Sequence, residues 1–282
     1  MVAFDDSWQL VKCRECGLVF VSPRPRRVDL MEGYQQWGSS EDESDIARIR
    51  SSTVPAMRHE ARRICDIHNQ RKGTVLDVGS GCGFFLKLMK EAGWDVLGID
   101  PSESFAEYAA KENGVNTVLG TIETADLREN QFDVVTMWYV LEHVLDPRGV
   151  LKRAYSLLKP GGLLVLRVPN YTFGKPFALL QRMGLNLRDL GVFSVPWHLY
   201  FFDRLTLTRM LEETGFRIVH MDHGTPYYGQ RRMYNIAKYA LTAGTEIIRR
   251  MSFGRLFWGP AVVLRARKGE PVKNRLEEHS SS

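Results

Sequence analysis

Thr74-Val75-Leu76-Asp77-Val78-Gly79-Ser80-Gly81-Cys82-Gly83 is the stretch on which the reading of this chain turns. Its first half is a short apolar run that predicts a buried strand from Val75 to Val78. Three glycines at alternate positions then break the strand. A helical pattern follows at once, with Phe84, Phe85, Leu88, Met89 and Ala92 on one face and Gly93 as its stop. Strand, glycine turn and helix together make a ligand cradle at the carboxyl end of a parallel strand. Glycine suits that place because a side chain would hold a ligand off the backbone, and because tight turns often need positive φ.

A dinucleotide-binding turn needs G-x-G-x-x-G. Here the spacing is G-x-G-x-G, and Phe84 stands where the third glycine would be. Asp77 sits inside the first strand. A second strand, Asp95 to Ile99, ends in Asp100, an acid placed to take two ribose hydroxyls. Further on, Pro101-Ser102-Glu103-Ser104 starts a helix that stops at Gly114, and Asn116 to Leu119 reads as a third strand. A fourth runs from Phe132 to Met137. The next helix, with Val150, Leu151, Ala154, Leu157 and Leu158 inward, ends at Lys159-Pro160-Gly161-Gly162. Leu163 to Val168, Phe216 to Met221 and Ala261 to Leu264 complete the strands, and the alternation predicts an α/β fold.

The glycine turn, Asp77 and Asp100, together with FDVV, VLEHV.DP and LLKPGG.L.LRVPN, resemble the class I S-adenosylmethionine-dependent methyltransferases. The nearest type is the small-molecule or sugar-modifying one with a C-x-x-C-G leader. The resemblance covers Thr74 to Asn170. It implies a Rossmann-like, doubly wound, seven-stranded sheet, strands 1 to 5 parallel and the last antiparallel, with helical cap insertions. It also implies S-adenosyl-L-methionine as cofactor, held by Asp77, Gly79, Gly81, Gly83, Asp100, Thr121, Ile122 and Trp138. In that family the glycine turn passes under the amino-acid part of the cofactor and the acid after the second strand grips the ribose. Ile122 would face the adenine and Thr121 its amino edge, where the family often has Asp.

Methyl transfer is an in-line displacement, and a hydroxyl acceptor must also lose its proton. His198, His143 and Glu142 are the candidates for that task. His198 lies in Pro196-Trp197-His198-Leu199-Tyr200-Phe201-Phe202, which resembles the family's P-x-H-L-Y-F-F segment. For His143 a structural role, fixing the loop at a helix start, stands beside the catalytic one. Some methyltransferases act by proximity alone and need no base.

Cys13-Arg14-Glu15-Cys16-Gly17 is half of a zinc ribbon, whose site needs four ligands, and none of the twelve residues before Cys13 is Cys or His. The expectation is a metal-free hairpin. Residues 1–54 read as this leader plus a lid segment with Tyr34 as lid candidate, and 55–268 as the methyltransferase domain. Within the latter, 171–196 is a cap over the substrate end. Residues 230–252 form an amphipathic basic helix suited to a homodimer or membrane-surface contact, and 269–282 are a polar tail.

The net charge of +5 and pI near 9.0 suit an anionic substrate, nucleic acid or a membrane surface and decide among none of them. No secretory signal and no apolar run near the ~20 residues of a membrane span are visible. Four cysteines point to reduced cytoplasm, with a peripheral membrane contact as the variant. The expected acceptor is a small molecule or glycan, lipid-linked in one version, methylated at a hydroxyl oxygen. No nucleic acid is expected: base-amino methyltransferases carry Asn/Asp-Pro-Pro-aromatic where Trp138-Tyr139-Val140-Leu141 stands. The alternatives are a non-catalytic cofactor-binding or scaffold protein on the same fold, and a nucleic-acid methyltransferase.

Overall fold

The structure, a computed structural model, describes residues 3–5, 8–40, 43–175, 198–224, 243–247, 249, 251–252 and 257–269. Most of the expected cap at 171–196, of the helix at 230–252 and of the tail at 269–282 lies outside the described residues.

The chain opens with β1 (Ala3–Asp5), β2 (Trp8–Lys12) and β3 (Val19–Ser22), paired antiparallel in sequence. The Cys13–Gly17 knuckle is the turn between β2 and β3. It is closed by the Gly17 N–H on the Cys13 carbonyl (3.1 Å) and by the Cys13 N–H on the Leu18 carbonyl (2.8 Å), with Gly17 at φ 78°. Two helices follow, α1 (Arg27–Ser40) and α2 (Glu43–Ile67). The second half of α2 buries Ala61, Ile64 and Cys65 against the main sheet.

That sheet has seven strands. In chain order they are β4 (Thr74–Val78), β5 (Asp95–Asp100), β6 (Thr117–Leu119), β7 (Phe132–Trp138), β8 (Leu158–Pro169), β10 (Phe216–Asp222) and β11 (Ala261–Lys268). The spatial order is β10-β11-β8-β7-β4-β5-β6, with β11 antiparallel to both its neighbours and the pairs from β8 to β6 parallel. The expected topology is therefore the one observed. Helices α3 (Phe84–Glu91), α4 (Glu103–Asn113), α5 (Pro147–Leu157) and α6 (Arg204–Glu213) cover the faces. Burial on both sides explains why β7 and β8 read as continuous apolar runs rather than alternating ones. β9 (Tyr200–Phe201) leaves this arrangement and pairs with β3, joining the small N-terminal sheet to the segment that leads into α6.

Local chemistry sets the element ends. Ser102 Oγ accepts the Phe105 N–H (3.3 Å) and starts α4, which Gly114 ends in the left-handed conformation. Asp146 caps α5 through the Gly149 N–H, and Asp203 with Thr206 forms a capping box on α6. Two strands run further than expected. β8 starts at Leu158, directly after α5, because Leu158 pairs with Phe132 before a bulge; Gly161, at φ 74°, lies within the strand. β11 continues to Lys268 because its arginines are paired: Arg265 with Glu60 and Asp222, and Arg267 with the Gly161 carbonyl.

The chain runs outward from β4 through β5 to β6, then returns to β7 on the other side of β4. This reversal opens a crevice at the carboxyl ends of β4 and β7.

Candidate active site

A cavity of about 450 Å³ lies in that crevice, within the range of small-molecule sites. Its floor is the glycine turn. The Gly79 and Ser80 N–H groups both donate to the Ile99 carbonyl, at 2.7 and 3.1 Å, which holds the turn onto the end of β5. Gly79 and Gly81 have φ of 67° and 50°. A Cβ on Gly81 would meet nothing within 4 Å, and one on Gly79 would come 2.5 Å from Val140 Cγ2. The backbone at Gly81 is thus bare toward open space, as a cradle for a ligand requires.

Asp100 is clamped beside the turn. Its Oδ2 accepts the Gly81 N–H at 2.8 Å and its Oδ1 the Ser102 N–H at 2.9 Å. Burial raises its carboxyl above the ordinary value, and those two donors offset part of the rise. Asp77 is deeper, 1% exposed, and accepts the Thr136 hydroxyl at 2.5 Å. Burial pushes it well above the usual carboxylate range. Across the cavity, Ile122 presents an apolar face, and the Thr121 N–H donates to Thr124 Oγ1 (3.0 Å). The roof comes from α1 and α2, where Leu30, Met31, Tyr34 and Ile49 face the cavity. Tyr34 donates its hydroxyl to the His143 carbonyl at 3.1 Å, tying the roof to the far wall.

That wall is the end of β7. Trp138 packs on Phe85 at 5.0 Å between ring centroids. Tyr139 takes φ 59°, uncommon for a non-glycine residue, and its hydroxyl accepts from Arg167 Nε at 2.9 Å. The chain then turns, with the His143 N–H on the Val140 carbonyl, and places His143 in the cavity wall.

Glu142 stands beside it, with a carboxylate oxygen 3.9 Å from His143 Nε2. It is fully buried, and neither carboxylate oxygen has a hydrogen-bond partner. Its own carbonyl accepts the Leu199 and Tyr200 N–H groups, at 2.8 and 3.1 Å, and so anchors the segment carrying His198. The His143 and His198 rings stand 4.8 Å apart at 73°. Burial pushes Glu142 up to about 8. Burial and the neighbouring His143 hold His198 down at about 3.

Asp77, Gly79, Gly81, Asp100, Thr121, Ile122, Trp138 and His143 line one cavity. Two of the expected site residues stand outside its wall. Gly83 faces α4, where a Cβ would come 3.0 Å from Ala109 Cβ, so it permits close helix packing. His198 lies behind His143. Sequence reasoning misses Tyr139, whose backbone conformation no local pattern announces. It also misses most of the roof, whose residues meet the cavity only through the packing of α1 and α2. Among the described residues, one group of three or more side chains has ligating atoms close enough to share an ion, namely Glu142, His143 and His198, not the Cys13–Cys16 knuckle.

Comparison with known proteins agrees with this geometry. A family model described as a methyltransferase domain matches residues 49–221. The chain is 40% identical over 158 residues to a ubiquinone biosynthesis O-methyltransferase of Bradyrhizobium diazoefficiens, a match covering 50% of this chain and 60% of that protein. It is 35% identical over 171 residues to the protein of the same description from Coxiella burnetii, covering 58% and 71%. In fold it is similar to the Burkholderia thailandensis 1,6-didemethyltoxoflavin-N1-methyltransferase solved with bound 1,6-didemethyltoxoflavin and S-adenosylhomocysteine. That likeness has a TM-score of 0.57 at 17% identity and covers 95% of this chain and 98% of the other.

Proposed function

The chain belongs to the methyltransferase-domain family, whose methyl donor is S-adenosylmethionine, and from that premise we propose that it methylates a hydroxyl oxygen of a small acceptor such as a phenol or sugar. The observation that carries the reading is a single cavity running from the bare glycine turn and Asp100 to His143. The names of the ubiquinone O-methyltransferase relatives support oxygen as the accepting atom.

When bound, the cofactor supplies an electrophilic methyl group on a sulfonium. The glycine turn would receive its amino-acid end, Asp100 would accept hydrogen bonds from its ribose hydroxyls, and Ile122 would lie against its adenine. Asp100 suits this task because its two backbone donors already fix its orientation while lone pairs remain on both oxygens. The roof formed by α1 and α2 excludes water and holds the acceptor in line. His143, in the wall with Glu142 and His198 behind it, is where the acceptor's proton leaves. The apolar surroundings suit a neutral or aromatic acceptor body with its hydroxyl directed at that wall.

The test is transfer of labelled methyl from S-adenosylmethionine to a panel of phenols, sugars and matched amines. Label in an O-methyl product supports the reading. Transfer confined to amines, or none to any hydroxyl by protein that binds S-adenosylhomocysteine, contradicts it.

A further inference from the structure

We propose that Glu142, His143 and His198 form a binding site for a divalent transition-metal ion of the zinc class, set in the wall of the acceptor cavity. Three observations converge on it. The ligating atoms of the three side chains lie within 4.8 Å of one another. The Glu142 carboxylate is 0% exposed, and neither of its oxygens has a hydrogen-bond partner. A buried carboxylate left in that state is unfavourable, and a cation beside it relieves that cost. The third observation is preorganisation. His198 comes from a distant part of the chain, yet the Leu199 and Tyr200 N–H groups are bonded to the carbonyl of Glu142 itself. One residue therefore supplies a ligand and anchors the segment that supplies another.

The donor set selects the ion. Two imidazoles and one carboxylate suit zinc and its first-row neighbours, whereas calcium and magnesium take oxygen shells. Metal–ligand bonds of about 2 Å bring ligating atoms to roughly 3.3 Å from one another, so side-chain rotations of about 1 Å close the present spread. Three protein ligands leave a further position for water or an acceptor oxygen, and His143 is the ligand that also lines the cavity. A hydroxyl bound there becomes more acidic and gives up its proton to solvent before its oxygen attacks the methyl carbon. This last consequence rests on the hydroxyl-methylation reading; metal binding itself does not.

The experiment is titration of the metal-stripped full chain with Co²⁺, followed by its visible absorption. One equivalent with nitrogen/oxygen-type bands, displaced by Zn²⁺ and unchanged in a Cys13→Ser/Cys16→Ser variant, is the expected result. His198→Asn and Glu142→Gln should lose the bands, with affinity falling beyond the roughly 10–100-fold that outer-shell changes cost. Binding of S-adenosylhomocysteine and the melting temperature check the fold of each variant. If Glu142→Gln fails to fold, wild type and His198→Asn still decide. No bands in wild type, thiolate charge-transfer bands that vanish with the cysteines, or bands retained in His198→Asn would each overturn the site. Cobalt binding without transfer to any hydroxyl would sink the proposed function and leave the metal site standing.

Discussion

Gly81 donates its backbone N–H to Oδ2 of Asp100 across 2.8 Å, so the glycine turn and the acid after the second strand of the main sheet form one hydrogen-bonded unit. A change at either residue disturbs both the floor of the cavity and its carboxylate. The alternate glycines, however, do different work, and substitution separates them.

Gly81→Ala places a Cβ into open space at φ 50°, and Gly83→Ala places one 3.0 Å from Ala109 Cβ at φ 72°. The left-handed backbone alone costs each about 1–2 kcal/mol. Gly81→Ala is expected to weaken S-adenosylhomocysteine at least about tenfold while losing only that much stability, since one misplaced hydrogen bond to a charged group is worth about 1.5–3 kcal/mol. Gly83→Ala is expected to lose more stability and less affinity, because its neighbour is a helix rather than the cavity. Calorimetry and thermal melts of both proteins check this. Equal losses of affinity would contradict the division.

The two histidines differ in the same way. His143 lines the cavity, and His198 meets it from behind, 4.8 Å away between ring centroids. His143→Asn should lower kcat for methyl transfer by about 100-fold or more and leave the affinity for S-adenosylhomocysteine unchanged. An unaltered kcat would remove His143 from the reaction.

Arg265 tests the account of the fold. Its guanidinium is 1% exposed inside β11, paired with Glu60 and, at 2.9 Å, with Asp222. Burial raises the Asp222 carboxyl, but Arg265, then the Gly224 N–H and Arg63, outweigh it and hold Asp222 below its ordinary value of 3.8. The sign follows. A depressed carboxyl contributes stability above its unfolded pKa, and that contribution is lost as pH falls through the folded value. Asp222→Asn should therefore cost about 3 kcal/mol at neutral pH, the low end for a broken buried pair because Glu60 remains. Its melting temperature should also fall less steeply than that of wild type below pH 4. Parallel curves would contradict the assignment.

What the sequence reveals follows from how local each feature is. The glycine turn, Asp100 at a strand end, and the helix start at Ser102 are legible because neighbours in sequence make them. The order of the sheet is legible only through the family resemblance. Tyr139 in its left-handed conformation, the Tyr34–His143 bond over the cavity and the approach of His198 to Glu142 depend on segments far apart in the chain. The last strand, expected to stop at Leu264, runs on to Lys268 because Glu60 and Asp222, distant in sequence, pair Arg265 within it.

The most direct measurement is calorimetric titration of the purified chain and of Asp100→Ala with S-adenosylmethionine, S-adenosylhomocysteine and NAD. The cavity floor predicts saturable binding of the first two by wild type, none of NAD, and at least about a tenfold loss in Asp100→Ala. Equal affinity in the variant, or binding of NAD in preference, would contradict the assignment of this cavity.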